Sequence, residues 1–306
     1  MPFTRALLSC IAVVVLAGCG APKFAVDFNK LTDDFVYGNL ALSPAAATQS
    51  GYHTHNGVSL DEALDDYSAA GIAASRQFLA GMQTRIAALD TASLSKEDSA
   101  DLGIIRNNIN LGLLELDSIQ NYKHNPTVYV ELVGNALFEC YMLEYAPIEK
   151  RFGHIVKRME KIPALMEQAK ANLVDAPEVW NRVAQEENQG NVDLIDKTLR
   201  AATPAVLKDD YARAATPAIA ALRDFNAFLK GTLSKKTSDW RLGKEKYAKK
   251  FDYVLTTGKT PKQLLAEAEA ELKTTREAMA KLAAPKTVEQ ALDDIAKQHA
   301  TPDTYM

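Results

Sequence analysis

Apolar positions recur at helical spacing along most of the chain. Leu102, Ile105, Ile109, Leu113 and Leu116 form one stripe, and Phe152, Ile155, Val156, Met159 and Ile162 form a second. Leu264, Leu265, Ala268 and Leu272 form a third. Steps of three and four residues place such side chains on one face of a helix and leave polar residues on the others. Start signals agree. Ser59-x-x-Glu62, Thr260-x-x-Gln263 and Thr287-x-x-Gln290 read as capping boxes, in which two side chains satisfy backbone N–H groups that the first turn leaves unpaired. Thr216-Pro217 and Thr260-Pro261 place proline at a first helical position, where its missing N–H costs nothing. Breaks fall at Ser43-Pro44, residues 51–57, Asn125-Pro126, Ala176-Pro177, Thr203-Pro204, residues 231–243, Gly258 and Pro285. The segments between them predict helices of about 12 to 30 residues in an antiparallel, all-α, multi-helix array. Strand signals are confined to residues 127–133 and 252–255.

The N-terminus follows a different pattern. Arg5 precedes an apolar run at residues 6–16, interrupted only by Ser9 and Cys10, and Leu16-Ala17-Gly18-Cys19 follows at once. A basic start, a short apolar run and small residues mark a secretory signal. The run is too short for a bilayer, which takes about 20 residues. Leu-Ala-Gly-Cys resembles the lipobox of bacterial lipoproteins. That resemblance implies acylation of the Cys19 thiol with palmitate-type chains, cleavage before Cys19 and acylation of the new amine. Residues 1–18 are then a leader, 19–27 a tether and 28–306 the helical body. Two or more acyl chains hold a protein stably at a membrane, so the expected partner is the lipid bilayer, through Cys19. Gly20 and Ala21 follow Cys19 with no aspartate beside it, which points to the outer membrane, facing the periplasm.

Charge narrows the partners. The formal charge is −4, and loss of Arg5 with the leader takes it to −5. Nucleic-acid binding needs a basic face, so it is excluded from the expected functions. Of three cysteines, Cys10 leaves with the leader and Cys19 takes lipid. Cys140, between Leu137-Phe138 and Tyr141-Met142, reads as a small buried hydrophobe.

Candidate chemistry is sparse. The histidines are His53, His55, His124, His154 and His299, and none opens a His-Glu-x-x-His zinc helix. His53-Thr54-His55 is the nearest approach to a metal pair, in a loop followed by Asp61 and Glu62. Such a loop can curl round a metal, pack onto a helix end, or present one histidine to a substrate groove. Residues 256–260 resemble the end of a phosphate loop, but Tyr253 stands where the first glycine is needed, and Thr260 reads as a helix cap. No Gly-x-Ser-x-Gly elbow is present. Glu139, Glu144, Glu149, Glu186 and Glu187 read as solvated helix faces or core-edge hydrogen-bond partners, and Trp180 and Trp240 as packing anchors. No residue is assigned a catalytic or metal-binding role.

The order of motifs carries more than any one of them. Ser43-Pro44-x-x-x-Thr48-x-x-Gly51-x-His53 precedes Leu60-Asp61. Tyr145-Ala146-Pro147, Arg151, Arg158-Met159, Ile162-Pro163 and Asn172-Leu173 come later, then Gly243-x-x-x-Tyr247 and Thr260-Pro261-x-x-Leu264-x-x-Glu267. This succession, over most of residues 28–301, resembles the bacterial lipoprotein family of domain of unknown function 885. The family is similar to zinc metallopeptidases of the His-Glu-x-x-His clan, so the resemblance implies the N-terminal helical half of a zincin-like fold. It implies zinc for the full-length family, peptides as ligands and His53 facing a substrate groove. The family's His-Glu-x-x-Pro-Gly-His helix does not occur in this sequence. No zinc ligand or base is carried over, and the helical body is expected to be incomplete, without cofactor and not competent alone. The other expectation is a non-enzymatic periplasmic helical binding or scaffold lipoprotein.

Overall fold

The computed structural model describes residues 27–300. The leader, Cys19 and the start of the tether lie outside the described residues. Helix α1 (Phe28–Leu42) begins where the Asp27 carboxylate accepts from the N–H groups of Asn29 and Lys30. Helix α2 (Pro44–Gln49) follows with proline in its first turn. A hairpin of β1 (Thr54–His55) and β2 (Val58–Ser59) comes next. Its strands pair antiparallel, with Thr54 opposite Ser59 and His55 opposite Val58. Asn56 and Gly57 turn it with φ of 48° and 78°, the doubly left-handed turn that Asn-Gly favours.

Twelve further α-helices follow among the described residues: α3 (Ala69–Ala87), α4 (Lys96–Leu114), α5 (Asn121–His124), α6 (Thr127–Met142), α7 (Ile148–Met159), α8 (Ile162–Asn172), α9 (Glu178–Asp193), α10 (Arg200–Ala202), α11 (Lys208–Gly231), α12 (Lys244–Leu255), α13 (Pro261–Ala283) and α14 (Val288–Ala296). Fold class is therefore as expected, a mostly helical array with one two-stranded hairpin. No helix among the described residues is long and apolar enough to cross a membrane.

Two apolar cores hold the array. The larger joins α6, α7, α8, α9 and α11, and the second stripe lies in it, with Phe152, Ile155, Met159 and Ile162 fully buried. Each such side chain contributes about 1.5 to 3 kcal/mol by leaving water. The smaller joins α1, α3 and α4 through Leu31, Phe35, Leu79, Met82 and the first stripe's Leu102, Ile105 and Ile109. The third stripe behaves differently: α13 and α14 contain no buried residue.

Several local expectations change. Residues 127–133, β-rich in composition, open α6, where Tyr129, Val130 and Val133 enter the large core. Burial there outweighs β-propensity. Residues 252–255 close α12. Ser59 ends β2, and the next helix starts only at Ala69, so Ser59-x-x-Glu62 caps nothing. Pro217 lies inside α11 rather than at its start. The Thr260 and Thr287 capping boxes form as expected, and Ser95 with Asp98 makes another at α4.

Candidate functional site

Five segments bring polar side chains to one place between the hairpin and the large core. Helix α2 supplies Thr48, the hairpin His53, the turn after β2 Asp61, the α6–α7 connection Tyr145, and α7 both His154 and Arg158. Positions 154 and 158 share a face because they are one helical turn apart. The α7 face that carries Ile155 and Met159 into the core thus delivers two polar groups at its edge.

Arg158 is fully buried. Its Nη1 donates to the Ala136 carbonyl at 2.6 Å and to Cys140 Sγ at 3.3 Å. Its Nη2 donates to Thr48 Oγ1 at 2.6 Å and to the carbonyls of Pro44 and Leu60, both at 3.2 Å. One guanidinium thereby ties α7 to α6, α2 and the turn after the hairpin, using the planar fork that a lysine lacks. Thr48 Oγ1 donates onward to Asp61 Oδ1 at 2.7 Å. Arg151, one turn before His154–Arg158, donates to the Cys140 carbonyl at 3.2 Å and to the Ala146 carbonyl at 2.9 Å. Its charge closes the C-terminal end of α6, where the helix dipole favours a cation, and it fixes the connection that carries Tyr145.

Asp61 is buried, and the same Oδ1 receives His53 Nδ1 at 2.9 Å. A carboxylate can only accept, so the proton is on Nδ1 and the lone pair of the neutral ring is on Nε2. The His53 ring stacks on Tyr145, with centroids 4.4 Å apart and planes at 21°. The Tyr145 ring also lies nearly parallel to His154, with centroids 5.9 Å apart and planes at 6°, and its hydroxyl shares a 3.0 Å hydrogen bond with His154 Nδ1. Asp61 Oδ2 is 3.6 Å from that same nitrogen. Two imidazoles therefore pack against one phenol and approach one carboxylate. Burial lowers the His154 pKa and raises those of the Tyr145 hydroxyl and the Cys140 thiol, so all three favour their neutral forms. The outer imidazole is different: the His53 side chain is 32% exposed. A partly exposed ring held through Nδ1 by a carboxylate leaves Nε2 clear of that bond, where it can take a proton from a bound group or hold a ligand atom.

The structure separates the two loop histidines. His53 meets Asp61 and Tyr145, whereas His55 Nδ1 meets Tyr52 Oη at 2.8 Å. Catalytic zinc needs three protein ligands and a water. Among the described residues no three His, Cys, Asp or Glu side chains converge as a metal site, so these residues do not by themselves fit the zinc that the family resemblance implies. Cys140 is fully buried and His299 is exposed. Trp240 is 53% exposed and Trp180 partly so, and both line an open cleft of about 490 Å3 with Tyr247, Phe251 and Val254, in place of anchoring the core. Sequence reasoning missed the roles of Asp61 and His154. Their signal was a polar residue directly after buried Leu60, and a histidine one turn from an arginine inside an apolar stripe.

Comparison with known proteins places this geometry. No curated protein matches the chain at a significant level. A solved structure from Shewanella oneidensis, described as a provisionally assigned lipoprotein of unknown function, superposes with a TM-score of 0.76 at 22% sequence identity. The match covers 91% of this chain and 54% of that one, so the chain spans about half the length of this neighbour, and the likeness shows the fold. The family described as "Bacterial protein of unknown function (DUF885)" matches residues 44–306, a span that includes Thr48, His53, Asp61, Tyr145, His154 and Arg158. The chain, with the whole of this polar cluster inside the matched span, belongs to that family of bacterial proteins.

Proposed function

We propose that the chain is a lipoprotein of the bacterial cell envelope, tethered through acylated Cys19 to the outer membrane and facing the periplasm. Its helical body is the N-terminal part of a zinc-dependent, peptidase-like protein. Peptides are the ligand class, His53 faces the groove that receives them, and the described half does not hydrolyse them alone. The observation that carries this reading is the His53–Asp61 pair: a partly exposed imidazole oriented by a buried carboxylate. A solvated loop histidine has no need of a carboxylate that is in turn fastened by Thr48 and Arg158. Family membership and the lipoprotein description of the Shewanella neighbour support the envelope setting.

The test uses the purified mature chain. Metal analysis is expected to find no stoichiometric zinc, and mixed peptides are expected to stay intact. Peptide binding, followed by NMR shifts, is expected to weaken in His53→Ala. Tightly held zinc with hydrolysis overturns the assignment of a non-catalytic half. Binding that His53→Ala leaves unchanged overturns the groove. Cell fractionation of Cys19→Ala, with release from membranes expected, tests the tether.

One observation favours the second reading, a non-enzymatic periplasmic binding or scaffold lipoprotein. The apolar cleft beside Trp240 and Phe251 is built from elements other than those that carry His53, and its size and lining suit an apolar ligand. Peptide binding that survives His53→Ala but is lost in Trp240→Ala decides for this reading.

A further inference from the structure

Beside the hairpin lies an open cavity of about 590 Å3, lined by α1, Phe78 of α3 and the hairpin residues His55 and Asn56, and not by His53. Its walls are aromatic. Tyr37 and Tyr52 face each other with centroids 4.9 Å apart, and Tyr52 meets His55 edge-on at 6.0 Å. Phe78 closes another side. The aromatic groups are held in place. Asn56 Nδ2 and His55 Nε2 are 3.0 Å apart, so Nε2 accepts, the ring proton is on Nδ1, and it is donated to the Tyr52 oxygen at 2.8 Å. Gly38 is the residue that lets Phe78 in, because a Cβ there would lie 2.5 Å from the Phe78 ring. A mid-helix glycine costs about 0.5 to 1 kcal/mol relative to alanine, and this close approach explains its place in α1.

The charged lining is acidic. Asp33 and Asp34 border the cavity, and no lysine or arginine lines it. Asp34 is already neutralised by Arg85 at 2.8 Å and Lys30 at 3.2 Å. Asp33 makes no ion pair among the described residues, and its side chain is exposed. Aromatic faces carry negative charge density and attract a cation placed over them. A cavity of ligand size with aromatic walls and one uncompensated carboxylate at its rim suits an organic cation.

We propose that this cavity binds an organic ammonium ion, either a small quaternary ammonium compound or the alkylammonium end of a lysine side chain. Tyr37, Tyr52 and Phe78 supply the faces, and Asp33 supplies the counter-charge. The site is separate from His53, so this assignment stands or falls independently of the peptidase-like reading.

The experiment titrates the mature chain with choline, with its uncharged tert-butyl isostere and with Nα-acetyl-lysine methylamide, using calorimetry and NMR. Choline or the lysine derivative is expected to bind and shift the signals of Tyr37 and Phe78, while the isostere does not. The tighter of the two cations identifies the source. Tyr37→Leu and Asp33→Asn, both at exposed positions, are each expected to weaken binding about fivefold with an unchanged melting temperature. Binding of the isostere as tight as that of choline overturns the proposal. So does the absence of binding by both cations, or affinity that neither substitution changes.

Discussion

Arg158 Nη2 donates to Thr48 Oγ1 at 2.6 Å and so joins α7 to α2 across 110 residues of sequence. The threonine passes the bond to Asp61, and Asp61 passes it to His53. The partly exposed imidazole is thus oriented from the centre of the molecule, through a chain of groups that are themselves buried. Polar groups in a low-dielectric interior are strongly held when every partner is present and costly when one is removed.

Arg158→Met is therefore expected to destabilise the fold by about 3 kcal/mol or more, because the buried carbonyls of Ala136, Pro44 and Leu60 all lose their donor, at about 1 to 3 kcal/mol for each left unpaired. Arg158→Lys keeps the charge but loses the fork, so its loss should be smaller yet clear of the uncertainty of the measurement. Urea unfolding measures both. A loss below about 1 kcal/mol for the methionine variant would mean that the carbonyls of Ala136, Pro44 and Leu60 find other donors, a cost at the low end for unpaired buried groups.

The members of this network were legible in the sequence as an order of motifs, not as a contact. Thr48, His53, Asp61, Tyr145 and Arg158 all stand in the succession that marks the family, yet their meeting depends on α7 packing against α6 and α2. Periodicity reports which face of a helix is buried, and Phe152, Ile155 and Met159 were readable on that ground. It does not report which distant element covers that face. Residues 127–133 misled for a related reason: their β-branched side chains are selected for a core, and the core happens to be helical. Asn56-Gly57 was the local signal left unused, since a tight hairpin is what that pair favours. The stripe of α13 marks the opposite limit, a helical pattern that buries none of its residues fully among the described residues.

Asp65 gives a pH dependence with a definite sign. Its carboxyl accepts from the Ala45 N–H at 3.3 Å, and burial raises its pKa from 3.8 to about 6. The folded state thus holds this proton more tightly than the unfolded state does. The resulting stabilisation is full below about pH 4 and is lost as pH rises through about 6. Asp65→Asn keeps an oxygen for Ala45 and removes the titration. The variant should match the wild type near pH 4 and exceed it by about 2 kcal/mol at pH 7.5. Melting curves from pH 4 to 8 check this, and a stability difference independent of pH counts against it.

Cys140 serves as a reporter of opening. It is fully buried, it accepts from Arg158 Nη1 at 3.3 Å, and burial raises its pKa. A thiol must be both exposed and ionised to react. In a Cys19→Ala chain without the leader, an aromatic disulfide reagent should leave Cys140 unmodified under native conditions and label it stoichiometrically in urea. The native labelling rate should rise in Arg158→Met, because that substitution loosens the helices over the thiol. Rapid labelling of the folded wild type would show that α6 and α7 part far more easily than this packing allows.

The bare face of α13 should be visible in solution. Leu265 and Leu272 are 59% and 50% exposed, and on α14 Leu292 and Ile295 are 51% and 64% exposed. Scattered apolar residues on a surface are ordinary, whereas contiguous stretches associate with partners or with apolar dyes. The isolated mature chain is expected to bind an environment-sensitive apolar dye and to self-associate as its concentration rises. Leu265→Lys combined with Leu272→Lys should reduce both effects. Because α13 buries no residue, the pair should leave the melting temperature of the body within the small range usual for surface substitutions. Light scattering, dye fluorescence and thermal melts on the two chains decide the matter. A large fall in melting temperature would mean that this face of α13 is packed against the body, and undiminished dye binding would place the sticky surface at the cleft beside Trp240 instead.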